Sequence, residues 1–210
     1  MIKKRLKLLI ITSVVILLPI LAGILLWNQL PDRLPTHWNA AGEVDGWSSK
    51  PMAVFGLPLL MLGAQWICVL ATLADPKKKN HSEKVLGLVF WLVPLLSLVL
   101  TAVTYCAAMG TEVRIQVLIN VLMGLMFVVI GNYLPKCKQS YTVGIKLPWT
   151  LHSEENWNRT HRLAGYVWMA CGLGMMILGF FGLFLVSLVF PLIAALVPTV
   201  YSYILYRKGI

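Results

Sequence analysis

The stretch at residues 163–206, LAGYVWMACGLGMMILGFFGLFLVSLVFPLIAALVPTVYSYILY, contains no charged residue and decides the fold. As one α-helix it would be about 66 Å long at 1.5 Å per residue, roughly twice the thickness of a membrane's hydrocarbon core. It therefore predicts two membrane spans, near 163–183 and 186–206, joined by a turn near Gly182–Ser187.

The composition of the whole chain agrees with a membrane protein. Of its 210 residues 59% are hydrophobic, 12% are charged, and the mean hydropathy is +0.78. A soluble domain carries about a quarter charged residues, so an ordinary soluble protein is excluded. The four cysteines, Cys68, Cys106, Cys137 and Cys171, have no CxxC spacing. Neither a disulfide framework nor a zinc site is predicted.

Four further apolar runs precede the first one, near 8–28, 51–73, 85–108 and 115–134. The run at 8–28 is longer than the apolar core of a signal peptide, about 7–15 residues, and no clear cleavage site follows it. We expect it to be a retained span. The predicted fold class is an all-α polytopic bundle of six transmembrane helices, forming a single membrane domain over residues 1–210.

The basic residues predict the orientation of these spans. With the N-terminus inside, all but three of the eighteen Lys and Arg residues lie on the cytoplasmic side, the exceptions being Arg33, Lys50 and Arg114. This is the positive-inside pattern, and it explains the net charge of +10 without direct nucleic-acid binding. It predicts cytoplasmic termini, cytoplasmic loops at 74–84 and 135–162, and an extracellular loop at 29–50.

The predicted extracellular loop is rich in turn-forming residues, and Asp45-Gly46 predicts a turn within it. We expect a compact cap that meets an extracellular molecule. The side chains of His37, Glu43 and Asp45 are of the types that bind metals, but these residues do not have the short spacing typical of metal ligands. No metal is predicted.

The longest polar interruption is GNYLPKCKQSYTVGIKLPWTLHSEENWNRTHR, residues 131–162. Its 139–146 part, QSYTVGIK, predicts an extended segment. Ser153 predicts the N-cap of a helix that continues into the fifth span. Glu155 and Arg159, four residues apart on that helix, predict an ion pair.

A catalytic role for this segment would rest on His161 with Glu154 or Glu155, because such pairs serve as bases or ligands. HExxH spacing and a nucleophile elbow are both absent. His152 and His161 are nine residues apart, which places them on opposite faces of a continuous helix. Trp157 and His161 instead fall on a stripe predicted to pack against the bundle. No catalytic residue and no cofactor are predicted.

The predicted spans contain no Asp, Glu, Lys, Arg or His. Such residues usually mark ion pathways, so their absence argues against an ion-coupled pump. A small transporter or channel stays an alternative, as does a membrane enzyme at the cytoplasmic face. Gln65, near mid-span, is predicted to bond another helix. The basic 75–84 loop is attributed to attraction by anionic lipid, with no special role for His81.

The 131–162 segment resembles the bacterial SdpI immunity proteins. The matching residues are Gly131-Asn132-Tyr133, Gly144-Ile145-Lys146, Pro148-Trp149-Thr150-Leu151, Glu155, Trp157 and Thr160-His161-Arg162. The 30–51 loop resembles the extracytoplasmic domain of this family through Pro35, His37, Gly42, Asp45 and Lys50. Two departures are Lys146, where the family usually carries Arg, and Ser140, where Asn is expected.

This resemblance implies a multi-pass cell-membrane protein that protects a bacterium from a secreted peptide toxin. It also implies toxin sensing, with a small transcriptional repressor held at the membrane as a further partner. The candidate toxin contacts are His37, Trp38, Asp45 and Trp47. The candidate cytoplasmic signalling or structural motif comprises Asn132, Gly144, Lys146, Pro148, Trp149, Thr150, Glu155, Trp157, His161 and Arg162.

Overall fold

The predicted membrane helices are present in the structure, a computed structural model that describes residues 2–210, with side chains from Arg5 onward. Within this range, six helices are long and apolar enough to cross a membrane, which confirms the predicted fold class. The eight helices are α1 (Ile2–Leu25), α2 (Leu57–Ala74), α3 (Glu83–Ala108), α4 (Ile115–Tyr133), α5 (Pro148–His152), α6 (Glu154–Phe180), α7 (Phe184–Ser187) and α8 (Val189–Arg207). A π-helical turn, Met52–Gly56, leads into α2.

Between α1 and α2 the chain forms an antiparallel β-hairpin, β1 (Arg33–Trp38) with β2 (Val44–Ser49). The predicted turn at Asp45-Gly46 is wrong, because both residues lie within β2. The hairpin turns at 39–42, where the side-chain oxygen of Asn39 accepts the N–H groups of Ala41 and Glu43. Gly42 has φ +84°, which favours glycine.

Internal contacts divide the chain into two compact units, residues 1–71 with 86–114, and residues 72–85 with 115–210. In the first unit, Leu34 of β1 is buried in a cluster with Leu30, Ala53, Val54 and Tyr105, which anchors the hairpin to the helices.

A second contact of the first unit lies in its apolar interior. The Gln65 amide of α2 donates to the carbonyl oxygen of Phe90 on α3 at 2.7 Å. The same nitrogen lies 3.4 Å from Thr12 Oγ1 on α1. These bonds confirm the predicted helix-to-helix role of Gln65 and give its amide nitrogen partners where lipid offers none.

In the second unit, α4 and α6 meet at two pairs of glycines. A methyl group added at Gly124 would lie 2.5 Å from the carbonyl oxygen of Gly172, and one added at Gly131 would lie 2.9 Å from that of Gly165. Each helix repeats its glycine after seven residues, so two turns of backbone approach directly. Small residues permit such close packing of membrane helices. We call this contact the glycine seam.

The fifth and sixth spans are joined by the turn at 181–183 and the short helix α7. Ser187 Oγ lies 2.6 Å from Asn120 Oδ1, which fixes α7 to α4. Trp168 of α6 stacks on Phe127 with ring centroids 4.7 Å apart and donates its indole N–H to the carbonyl of Ala194 on α8. The second unit is thus a three-helix assembly of α4, α6 and α8.

The glycine seam generates a prediction about stability. Gly124→Ala should destabilise the protein by about 1–3 kcal/mol, because the added methyl group meets backbone that cannot rotate away. The control is Gly63→Ala on α2, where an added methyl group meets nothing within 4 Å. Thermal unfolding in detergent would compare them, and equal midpoints would contradict the seam.

Candidate functional site

Most of the residues singled out in the 131–162 segment lie in one assembly, which we call the platform and define as residues 75–82 and 137–162. The predicted extended conformation at 139–146 is wrong, since this segment is a series of bends. The short helix α5 follows, with Pro148 at its first position. Ser153 then caps α6, and its Oγ accepts the N–H of Asn156 at 3.1 Å, as predicted.

Gln139 connects three parts of the platform through hydrogen bonds. Its amide nitrogen donates to the carbonyl oxygens of Thr150 and Leu151, each at 2.8 Å. Its side-chain oxygen accepts from Lys77 Nζ, and its own carbonyl accepts from Asn80 Nδ2 at 2.7 Å. The loop between α2 and α3 is therefore bonded to the loop between α4 and α6.

Asp75 is the centre of the same junction and is 2% exposed. Its Oδ2 accepts the backbone N–H groups of Tyr141 and Thr142, each at 2.9 Å, and the Thr142 hydroxyl at 2.7 Å. Its Oδ1 accepts the N–H of Lys77 at 2.7 Å. His81 Nε2 lies 3.5 Å from Oδ2. We call this arrangement the Asp75 clasp.

The clasp also sets the charge state of its carboxyl group. Burial raises the pKa of Asp75, but the hydrogen bonds from Thr142, Lys77 and Tyr141, with the charge of His81 when protonated, lower that pKa below its usual value. The carboxylate is therefore ionised at neutral pH. Its stabilising effect is lost only as the pH falls through this lowered pKa.

Both ring nitrogens of His161 form hydrogen bonds in the interior of the platform. Its Nε2 accepts the N–H of Ile145 at 2.9 Å, so Nδ1 carries the proton and donates to the carbonyl of Trp157 at 2.8 Å. The imidazole stacks on the Trp157 ring with centroids 4.0 Å apart. A neutral, doubly bonded and buried imidazole positions the loop and is not free to act as a base.

Gly144 and Cys137 complete the surroundings of Trp157. Gly144 has φ +117°, and a methyl group added there would lie 2.5 Å from His161 Nε2. Only glycine allows the loop to pass so close. The carbonyl of Cys137 accepts the Trp157 indole N–H at 2.8 Å. Burial raises the pKa of the Cys137 thiol to about 11, so it is an inert thiol at neutral pH.

A chain of buried polar groups joins α5, α6 and α8. The Trp149 indole N–H donates to Ser202 Oγ at 2.6 Å, and the Ser202 hydroxyl donates to Asn156 Oδ1 at 2.8 Å. Asn156 donates in turn to the carbonyl oxygens of Ser202 and Ile210. Thr160 contributes a further hydroxyl to Asn156 at 3.1 Å. These bonds fix α5 against the end of α8.

Beside this chain of bonds is an open groove of 660 Å³, lined by Pro148, Trp149, His152, Ser153, Tyr206, Gly209 and Ile210. Thr150 Oγ1 closes the turn before the groove by accepting the N–H of Leu147 at 2.9 Å. Trp149 also contacts the rings of Tyr203 and Tyr206, so aromatic surface forms much of one wall.

The remaining motif residues are on the surface. Asn132, Lys146, Pro148, Glu155 and Arg162 are exposed. Glu155 pairs with Arg159 at 2.5 Å, which confirms the predicted ion pair, although a pair this exposed adds little stability. The motif therefore separates into buried residues that shape the platform and exposed residues, including the basic Lys146 and Arg162, that a partner can reach.

The hairpin brings two of its candidate contacts together, in the first unit. His37 Nδ1 lies 2.5 Å from Asp45 Oδ1, and both side chains are largely in solvent. Trp47 is 56% exposed, while Trp38 is half-buried. Glu43 bonds to Asn39 at 3.1 Å. Within residues 2–210, no group of three or more His, Cys, Asp or Glu side chains is placed to hold a metal ion.

Sequence reasoning missed four platform residues, Asp75, His81, Gln139 and Asn156, and also Ser202 of α8, which bonds to the platform. The attribution of the 75–84 loop to lipid attraction alone is incomplete, because Asp75 and His81 face protein. An acidic residue directly after an apolar span, at the start of a strongly basic loop, was the available signal for Asp75.

The sequence of this chain is similar to those of known proteins. Residues 136–202 match the SdpI/YfhL protein family, and residues 14–62 match a domain of unknown function, DUF1648. The chain is also 28% identical over 202 residues to the immunity protein SdpI of Bacillus subtilis strain 168, covering 95% of this chain and 96% of that protein. This chain is therefore similar to the SdpI/YfhL family over residues 136–202, and to that immunity protein over nearly its whole length. No solved structure matches it significantly.

The two matches locate both sites within known sequence regions. The SdpI/YfhL match covers residues 137–162 of the platform and continues into α8 as far as Ser202. The DUF1648 match covers the hairpin. With six helices within residues 2–210 that are long and apolar enough to cross a membrane, this chain is a multi-pass protein of the cell membrane. Asp75 lies between the two matched regions.

The bond between α5 and α8 generates a second prediction. Trp149→Phe keeps an aromatic ring but removes the indole N–H, and should lower the free energy of unfolding by about 1 kcal/mol. Ser202→Ala should destabilise by more, because Asn156 also loses a donor. Denaturant unfolding of the single and double variants should show that their effects are not additive. Fully additive effects would mean that the two groups do not interact.

Proposed function

We propose that this chain is an integral membrane immunity protein that protects a bacterium against a secreted antimicrobial peptide toxin. The observation that carries the proposal is the similarity to the Bacillus subtilis immunity protein over nearly the full length of both chains. That similarity takes in the hairpin, the platform and the helices between them, so it does not rest on a shared membrane-span composition alone.

The proposed orientation puts the platform in the cytoplasm and the hairpin outside. Contacts of Asp75 with Thr142, and of Asn156 with Ile210, join the 72–85 loop, the 134–153 loop and the C-terminal residues at one end of the second unit. Three segments that follow even-numbered spans must share one side of a membrane. Together with the start of α6, which adds Arg159 and Arg162, they carry 11 of the 18 Lys and Arg residues, and the positive-inside rule assigns such segments to the cytoplasm.

The two sites then have separate roles. The hairpin offers Trp47, His37 and Asp45 to an extracellular peptide, since an exposed aromatic beside polar groups is typical of a binding hot spot. The platform offers Lys146 and Arg162 on its surface to a cytoplasmic partner. A small transcriptional repressor is the partner that the family resemblance implies, and toxin sensing would be reported to it here.

Two rival functions have less support. A transporter needs a polar pathway, whereas the buried polar groups Gln65 and Ser202 bond to neighbouring helices. A membrane enzyme would need a free base at the platform, but His161 is bonded through both ring nitrogens. Flux in liposomes would revive the transporter, and a turnover lost in His161→Ala would revive the enzyme.

Protection of living cells tests the proposed function. The chain would be expressed in a Bacillus subtilis strain that lacks its own SdpI, and the cells would be grown with the toxin-releasing parental strain. We expect expressing cells to survive at a clearly higher frequency than cells with an empty vector. Equal survival, with the protein shown to be in the membrane, would exclude immunity to that toxin.

Within this assay, the exposed tryptophan of the hairpin should matter to toxin contact. Trp47→Ala should reduce protection by about tenfold or more, in line with loss of a hot-spot aromatic, while leaving membrane levels unchanged because the side chain is largely in solvent. Ser49→Ala, exposed on the same strand, is the matched control. Undiminished protection by the Trp47 variant would remove this residue from the contact.

A further inference from the structure

We infer that Asp75 is a positioning residue of the platform, holding the 139–146 segment in the shape that immunity or its signalling requires. The inference deepens the proposed function and rests on it. Asp75 is not part of the motif that defines the site, and it lies between the two regions that match known families. Its role follows from contacts made across 66–67 residues of sequence.

The geometry of the clasp requires a carboxylate. Both oxygens of Asp75 face donors: Oδ1 faces the N–H of Lys77, and Oδ2 faces the N–H groups of Tyr141 and Thr142 and a hydroxyl. An amide has one oxygen and one NH₂ group. Whichever way an asparagine turned, its NH₂ would face at least one backbone N–H, and that buried donor would lose its partner.

The clasp holds one end of a segment whose other end is also fixed. Two residues after Thr142, Gly144 packs on Trp157 and His161, and Ile145 donates to His161 Nε2. Directly after the second anchor, Lys146 is exposed and its Nζ donates to the carbonyl oxygen of Thr142 at 3.3 Å. Losing the clasp frees the first anchor while the second stays, so it should loosen this loop without unfolding the helices.

The segment that carries Asp75 is continuous along the chain with α2 and α3. Residues 72–85 belong by their contacts to the second unit, yet α2 and α3, which lead into and out of them, belong mainly to the first. Lys77 and Asn80 add two more bonds from this segment to Gln139. Displacement of the end of α2 would therefore be carried to Tyr141 and Thr142 through short, directional hydrogen bonds.

The test compares Asp75→Asn with Glu154→Gln, which also replaces a platform carboxylate by an amide but at an exposed position. Three quantities are measured on the full-length protein: its membrane level, the hydrogen-exchange rate of the 139–146 amides in nanodiscs at neutral pH, and survival in co-culture. For Asp75→Asn we expect an unchanged membrane level, exchange faster by about tenfold or more, and survival reduced by a similar factor. The control should match the wild type in all three.

A conservative series separates positioning from general stability. Thr142→Val removes only the hydroxyl donor, so it should cause a smaller change of the same kind. Combined with Asp75→Asn it should add little, because the bond is already lost. Asp75→Glu keeps the charge and should restore part of the protection. If Asp75→Asn does not accumulate in the membrane, the same three quantities are measured for Thr142→Val and Asp75→Glu and compared with those of the wild type.

Each outcome decides a different claim. Unchanged exchange at 139–146 in Asp75→Asn overturns the clasp. Faster exchange with full protection overturns the functional role of the clasp. Failure of the wild-type chain to protect contradicts the proposed function instead, and the exchange data then still decide whether Asp75 positions the loop.

Discussion

The direct approach of the α4 and α6 backbones at the glycine seam is the constraint on which the second unit depends. Because Gly124, Gly131, Gly165 and Gly172 carry no side chain, the two helices pack without an intervening layer. The ring of Pro135 then rests on Gly165, which directs the chain as it leaves α4. From there the backbone reaches the Trp157 indole within two residues, so the seam sets where the platform begins.

The membrane environment explains why so many polar groups of the platform form hydrogen bonds within the protein. Lipid supplies no hydrogen bonds, so polar groups at the ends of spans must find partners within the protein or in interfacial water. The buried members of the motif, Thr150, Trp157 and His161, each bond to backbone of the same assembly. His161, which resembles a catalytic base in the sequence, is thus part of a framework, and the groups left for recognition are the exposed ones.

Sequence could predict the features that depend on neighbouring residues. Span length and absence of charge predict six helices, and the Ser153 cap and the Glu155–Arg159 pair follow from spacings of three and four residues. Sequence reasoning missed the hairpin because Asp45-Gly46 is a stronger local turn signal than Asn39 with Gly42. The hairpin turns at Asn39 and Gly42. The clasp and the Trp149–Ser202 bond join residues more than fifty positions apart, and local patterns hold no information about such pairs.

The buried carboxylate of Asp75 lies in a segment that is joined at both ends to the other compact unit of the chain. The chain passes between its two compact units at only three places, near residues 71, 86 and 114. The first two bound the segment that carries Asp75, and the third follows α3 at the opposite end of that span. Two of these three covalent connections therefore run through the segment that carries Asp75. The proposed toxin sensing would require the unit with the exposed hairpin to influence the unit with the basic surface. A flexible connection would absorb any movement, whereas a segment fixed by charge-assisted bonds to the loop backbone would transmit it.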